Sequence, residues 1–206
     1  MRKLLLPILA LLFLTPVVSR ASTAHLPQSG QTSMYLPADD GALQTGRTWP
    51  VPRFIDNRNG LFRDNLTGLI WSGDANPVAS GSGKTDRRGE ITWQKALDEI
   101  KRLNAEAYSG YNDWRLPNLN ELASLIHQGE VVQSLWLGRQ GFYNTAAANY
   151  WSSSSVARDT NRSWVVQMDD GSVGTLPKSG NALIWPVRGV SGLLPATGQI
   201  ACYDKT

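Results

Sequence analysis

The side chains able to do chemistry are few in this sequence, and their spacing excludes most catalytic schemes. Two histidines are present, His25 and His127, and neither has a partner at the spacing of a metal or catalytic motif. HExxH, GxSxG and paired CxxC patterns are all missing, so a nucleophilic triad would have to use His127 as its base. His127 falls near the end of a predicted helix, where a capping or solvated role accounts for it. Gly81-Ser82-Gly83-Lys84-Thr85 imitates the end of a phosphate-binding loop, but Val78 stands where the pattern needs its first glycine, leaving a Gly/Ser loop. Cys202 is the single cysteine: it rules out an intramolecular disulfide and is the only thiol available to an enzyme. Calcium wants six to eight oxygen ligands. Asp169 and Asp170 are its candidates, with Asn118, Asn120 and Glu121 as a second oxygen-rich set. Neither set has the spacing of a calcium loop; a hairpin turn explains the first and helix capping the second. The expectation is a non-enzymatic chain with no cofactor, calcium being the one left open.

Eight tryptophans remain, at positions 49, 71, 93, 114, 136, 151, 164 and 185. Trp71, Trp93, Trp114 and Trp185 sit among apolar neighbours and read as core, where their large area stabilises a disulfide-free domain. Trp136 and Trp151 fall in a stretch from Gln128 to Asn161 that reads as loop-rich.

The elements that must position these groups are legible in part. In YNDWRLPNLNELASLI, Tyr111–Ile126, Pro117 biases its predecessor away from helix. Asn118 can cap a helix starting near Leu119, with Glu121 completing a capping box. Leu119, Leu122, Ala123 and Ile126 then share one face. A second helix runs from the cap Thr92 to a stop at Ser109-Gly110, with Trp93, Ala96, Leu97, Ile100, Leu103 and Ala107 in phase. Strands are expected at Gly68–Trp71, Ser163–Met168, Ser172–Leu176 and Ala182–Val187, with Asp169-Asp170-Gly171 as a hairpin turn. Helices followed by a run of strands favour an α+β domain over a doubly wound sheet.

Length and charge set further bounds. The 206 residues are 41% hydrophobic, enough for one packed domain. Arg2 and Lys3 precede an apolar run ending in Ser19-Arg20-Ala21, the pattern of a cleaved signal peptide over residues 1–21. No later segment approaches the roughly 20 apolar residues of a membrane span. The net charge of +3 loses Arg2, Lys3 and Arg20 with that leader, leaving seventeen basic residues against seventeen acidic ones. This gives no field for nucleic acid, although Lys84, Arg87 and Arg88 form a local basic run. Residues 22–52 read as an irregular Gly/Pro/Ser/Thr arm, 53–190 as the packed domain and 191–206 as a tail. Leu26-Pro27-Gln28-Ser29-Gly30-Gln31 recurs as Leu194-Pro195-Ala196-Thr197-Gly198-Gln199, with Tyr35 and Tyr203 at the same offset. The repeat brackets the domain, as if the tail began a second module.

Five segments, Phe62–Trp71, Thr92–Leu97, Tyr111–Leu122, Tyr150–Ser154 and Trp185–Val190, occur in an order that resembles the DUF1566 family. That family is similar to the C-terminal domain of the Legionella collagen-like adhesin. The likeness covers roughly residues 54–190 and implies a C-type lectin-like fold: two helices flanking a mixed, irregular sheet, with the first and last strands paired. WRLPNLNEL also resembles a segment of the sulfatase-modifying, formylglycine-generating domain. Many DUF1566 members carry a cysteine in the first helix and another in the last strand, whereas this chain has none in the helix and Gly189 in the strand. Formylglycine chemistry, which needs a cysteine pair, is excluded. Calcium-dependent lectins carry EPN or QPD ahead of WND, and this chain has only Tyr111-Asn112-Asp113.

Fold likeness does not carry function, but it suggests that variable loops, with the strands around Trp164 to Leu176, hold a ligand. On that reading Trp136 and Trp151 stack on sugar rings. Asn149, Ser153, Ser155, Arg158, Asp159 and Asn161 supply hydrogen bonds, and Arg158, Arg162, Lys178 and Arg188 contact an anionic glycan. The resemblance thus points to an exported module, periplasmic, outer-surface or secreted, that binds a glycan or a protein. Two alternatives stand beside it: a structural or assembly module of a tandem-domain surface protein, and an enzyme diverged from the sulfatase-modifying domains.

Overall fold

A computed structural model describes residues 26–80 and 89–200. The signal peptide, His25, the Gly81–Thr85 loop, the Lys84/Arg87/Arg88 run and Cys202 lie outside the described residues. The chain is α+β, with two antiparallel sheets and five α-helices among the described residues. Strands β1 (Phe54–Asp56), β2 (Leu61–Asp64) and β3 (Ile70–Ser72) form a meander. Strand β7 (Val187–Arg188) joins at β3, Trp71 opposite Val187, so this sheet runs β1-β2-β3-β7. The second sheet is β4 (Asn149–Val156), β5 (Asp159–Gln167) and β6 (Val173–Pro177), with β5 central.

The helices form where caps and periodicity favour them. In α3, Trp93–Ala105, Thr92 Oγ1 accepts from Lys95 N, and Trp93, Ala96, Ile100 and Leu103 make the buried face. In α4, Leu119–Ala123, the capping box is complete: Glu121 N–H donates to Asn118 Oδ1 at 2.9 Å, and Asn118 N–H to Glu121 Oε2 at 2.9 Å. Shorter helices are α1 (Asp40–Leu43), α2 (Pro77–Ser80) and α5 (Gln133–Arg139).

Two buried clusters hold the sheets together. One gathers Phe54, Trp71, Leu122, Trp136, Phe142, Tyr150 and Trp185 between the first sheet, α4 and α5. The other packs Trp93, Ile100, Trp114, Trp151, Val165 and Ile184 beneath α3. The indoles of Trp93, Trp151 and Trp185 donate to the carbonyls of Ser152, Ile91 and Ser72 at 2.8 to 2.9 Å, so large apolar area is buried without orphaning those N–H groups.

Several sequence expectations are corrected. The last strand pairs with β3, while β1 lies at the opposite edge, and neither sheet is mixed. Three strands precede the long helix rather than following it. Ala182–Val187 is not one strand. Ala182 bridges Ile91, Leu183 bridges Tyr150, and only Val187–Arg188 joins a sheet. Buried from Ala182 to Val187, this run lies between the sheets and bonds to several partners, and a continuous apolar run is ambiguous on that point. The stretch from Gln128 to Asn161 contains α5 and all of β4, so it is not mainly loop. The Gly171 hairpin does form, between β5 and β6.

Candidate functional site

The motif YNDWRLPNLNEL builds the frame of the site rather than the site itself. Trp114 is core, its indole donating to Tyr108 O. Arg115 forks onto Glu121 at 2.6 and 2.8 Å and reaches Gly189 O, tying the cap of α4 to the end of β7. Pro117 O accepts from Ser153 N–H at 2.8 Å, which sets α4 against β4. Ser154 Oγ accepts the N–H of Leu119, the first residue of α4, at 3.1 Å. The start of α4 is thereby fixed over the middle of the second sheet.

A groove of about 480 Å³ opens at this junction. Its floor is Ser154 and Ser155 of β4 with Trp164 of β5; Leu119 and Asn120 form one wall, and the tail from Ala196 to Ile200 the other. Trp164 is half-buried and offers an aromatic surface to the groove, while its carbonyl accepts from Ser152 Oγ at 2.8 Å. Ser155 is 7% exposed, and its Oγ has no hydrogen-bond partner among the described residues. Its N–H is engaged, donating to Gln199 Oε1 at 2.7 Å, and Asn120 Nδ2 donates to Pro195 O at 2.8 Å. An aromatic surface flanked by amide and hydroxyl groups on packed strands suits a polar ligand with one apolar face.

A second recess, about 550 Å³, is lined by Glu90, Asn149, Gln167, Asn181, Leu183 and Ala146 to Ala148. Gln167 Oε1 is buried there without a partner among the described residues. This recess is more polar than the first, and no aromatic ring lines it.

The predicted binding residues are only partly brought together. Trp136 and Trp151 are corrected: Trp136 is 6% exposed, packed against Trp49 and Phe54, and Trp151 is fully buried. Neither can offer a ring face to a sugar. Trp136 lies on the inner side of α5, and Trp151 faces α3 from β4, where the core takes both rings. Ser155 lines the groove and Ser153 is half-buried beside it on β4. Arg158, Asp159 and Asn161 are exposed at the β4–β5 hairpin, which opens from groove-lining Ala157. Asn161 O accepts from Lys178 N–H at 2.7 Å, placing the Lys178 backbone at the same end. The Lys178 ammonium lies 3.9 Å from the centre of the Trp93 ring. Arg162 donates to Thr175 Oγ1 and O at 3.0 and 2.6 Å, across β5 and β6.

Two predictions lie elsewhere. Asn149 belongs to the second recess. Arg188 grips Asp113 with two bonds of 2.7 and 3.1 Å and lies over Tyr111, on the other sheet. That contact holds the Asp113 carboxyl below its usual range. Asp170 accepts the Ser172 N–H at 2.9 Å, which lowers its carboxyl likewise, and Asp169 O accepts from Gln133 N. Among the described residues no three His, Cys, Asp or Glu side chains group as a metal site. Sequence reading missed Asn120 and Gln199 as groove residues, and it named the strands around Trp164 without singling out the ring itself. In the structure Trp164 faces outward, half-buried between the buried Ser163 and Val165.

The fold and groove define a two-sheet α+β scaffold that presents a surface recess between a capped helix and a sheet. The chain belongs to the Lcl C-terminal domain family, whose model matches residues 60–188, more than half of the 206 residues. No curated protein matches the chain. The matched span holds β2 to β7 and Trp164, and excludes the tail that forms one wall of the groove.

Proposed function

We propose that this protein is an exported, non-enzymatic binding module of adhesin type, and that its ligand is a glycan held in the groove around Trp164. The observation carrying this reading is the half-buried Trp164 on the floor of a groove lined also by Asn120, Ser154 and Gln199. A sugar ring has an apolar face to lay on an indole and hydroxyls that both donate and accept, the complement of such a floor. Membership of the Lcl C-terminal domain family and likeness to an adhesin domain support a surface role. No helix among the described residues is long and apolar enough to cross a membrane. Arg158, beyond Ala157 at the rim, adds a charge-assisted contact for glycans that bear sulfate or carboxylate.

The test is a glycan array carrying neutral and sulfated polysaccharides, read with and without a calcium chelator, for the wild type and Trp164→Ala. Binding that survives the chelator and drops at least tenfold in Trp164→Ala supports the reading. A blank array, or equal binding by both proteins, overturns it. A binding mode that needs calcium would move the site to the aspartates of the β5–β6 turn.

A further inference from the structure

The two copies of the bracketing repeat occupy different environments, and the difference points to a partner. Leu26–Gln31 (LPQSGQ) and Leu194–Gln199 (LPATGQ) share Leu, Pro, Gly and Gln at the first, second, fifth and sixth places, and a hydroxyl residue at the fourth. Their glycines share a conformation as well: φ is +90° at Gly30 and +76° at Gly198, a region side chains rarely adopt.

The first copy is held in a cradle on the domain. Arg47 N–H donates to Leu26 O at 2.8 Å, Gln28 N–H to Arg47 O at 3.0 Å, the Trp49 indole to Gln28 O at 2.7 Å, and Gln128 N–H to Ser29 O at 2.9 Å. These four bonds fall on the peptide's main chain; at the third place, where the copies differ most, Gln28 Nε2 also donates to Gln44 O, the one contact that Ala196 would not reproduce. Gly30 faces His127 so closely that a Cβ there would stand 3.0 Å from the imidazole. The cradle therefore requires glycine at the fifth place. The fourth place uses its hydroxyl, since Ser29 Oγ donates to Asp40 and accepts Gln31 N–H at 3.2 Å, and Thr197 carries the same group.

The second copy carries the same glycine and hydroxyl residue and is held more loosely, through the bonds of Asn120 to Pro195 O and of Ser155 N–H to Gln199 and through Leu194 against the core. Pro195 to Gln199 are exposed, and nothing lies within 4 Å of the position a Cβ on Gly198 would take. We propose that the cradle of Arg47, Trp49, His127 and Gln128 is a receptor for Leu-Pro-x-(Ser/Thr)-Gly-Gln, and that Leu194–Gln199 of a second copy enters it in place of Leu26–Gln31. Tail-to-head joining of one copy to the next builds rings or chains, and reciprocal exchange of tails closes on a pair. The resident segment competes at the effective concentration of a tethered ligand, on the order of mM, so joining is suppressed in dilute solution and favoured by crowding at a surface. Exchange also draws the tail off the groove around Trp164, which it walls.

The test uses the full chain and a fluorescein-labelled LPATGQ peptide. Gly30→Val forces a Cβ toward His127 and should expel the resident segment. Gln28→Pro removes the N–H given to Arg47 and expels it independently. Fluorescence anisotropy should show the peptide binding both variants at least tenfold more tightly than the wild type, with no binding by a peptide whose glycine is replaced by valine. In sedimentation, Gly30→Val should associate with rising concentration, and the double variant Gly30→Val/Gly198→Val should return to monomer, Gly198 having open space around it. Equal affinity of the peptide for all three proteins, or no binding to any, overturns the proposal. So does association that persists in the double variant. None of these readouts depends on a glycan.

Discussion

Arg53 and Asp64 form a fully desolvated ion pair, at 3.2 and 3.0 Å with 4% and 0% exposure, and Arg53 also lies 4.2 Å from the centre of the Trp49 ring. Losing one partner strands a buried charge, so Asp64→Ala should cost about 3 to 5 kcal/mol in urea unfolding. Asp113→Ala should cost no more than about 1 kcal/mol, because its pair with Arg188 lies at the surface. His127 packs edge-on to Trp49, its Nδ1 accepts from Gly129 N–H, and burial pushes its pKa below 6.5. The unfolded chain then binds a proton more readily than the folded one. The stability from neutral His127 is complete above about pH 6.5 and is lost as the pH falls from there through the lower folded value. The urea midpoint should drop from pH 7.5 to 5.5, and His127→Phe should flatten that drop; an unchanged slope would contradict it. At this scale the sequence was least legible for Trp136 and Trp151. An indole seeks apolar contact whether inside a protein or against a sugar, so only its place on an element separates the two roles.

Caps and periodicity made α3 and α4 readable, because both act within a few residues along the chain. Asn118→Ala removes the side chain accepting Glu121 N–H and should cost about 1 kcal/mol, with a matching loss of glycan affinity as Leu119 and Asn120 shift over the groove. Unchanged affinity in a folded variant would detach α4 from the site. Strand β4 was not readable, and the reason is physical. NYWSSSSV is buried on both faces along most of its length, so the polar and apolar alternation of a one-sided strand is lost. Two of its serines bond to other elements, Ser152 Oγ donating to Trp164 O and Ser154 Oγ accepting Leu119 N–H, while Ser163 Oγ of β5 lies within bonding distance of Ser152 O and Ser154 O. Ser163→Ala should therefore destabilise the sheet by about 1 to 2 kcal/mol, measured by chemical unfolding. The closing run Ala182–Val187 was misread for a related reason, since burial on all sides erases the period that distinguishes a strand from a connector.

For the molecule as a whole, the family followed from the order of five motifs, and the family model spans the same region; the α+β class holds although the order of elements it was argued from does not. The motifs proved to be largely framework: Trp71, Trp114, Trp151 and Trp185 are core, while Arg115, Glu121, Asp113 and Arg188 pin one sheet to the loop before α4. Strand pairing was beyond reach, because which edge β7 joins is decided by three-dimensional packing rather than local pattern. The groove was half legible, through Ser155 and the hairpin residues, and its aromatic floor was not. Trp164→Ala, on a half-buried position, should leave stability nearly intact, whereas Trp151→Ala should cost about 3 to 5 kcal/mol. The most direct test of the binding account is a titration of heparin-derived and neutral hexasaccharides into the ¹⁵N-labelled chain, following the indole N–H resonances of its eight tryptophans. The Trp164 resonance should move and saturate with at least one of the sugars while those of Trp151 and Trp136 stay in place; a Trp164 resonance that stays fixed with both sugars would contradict it.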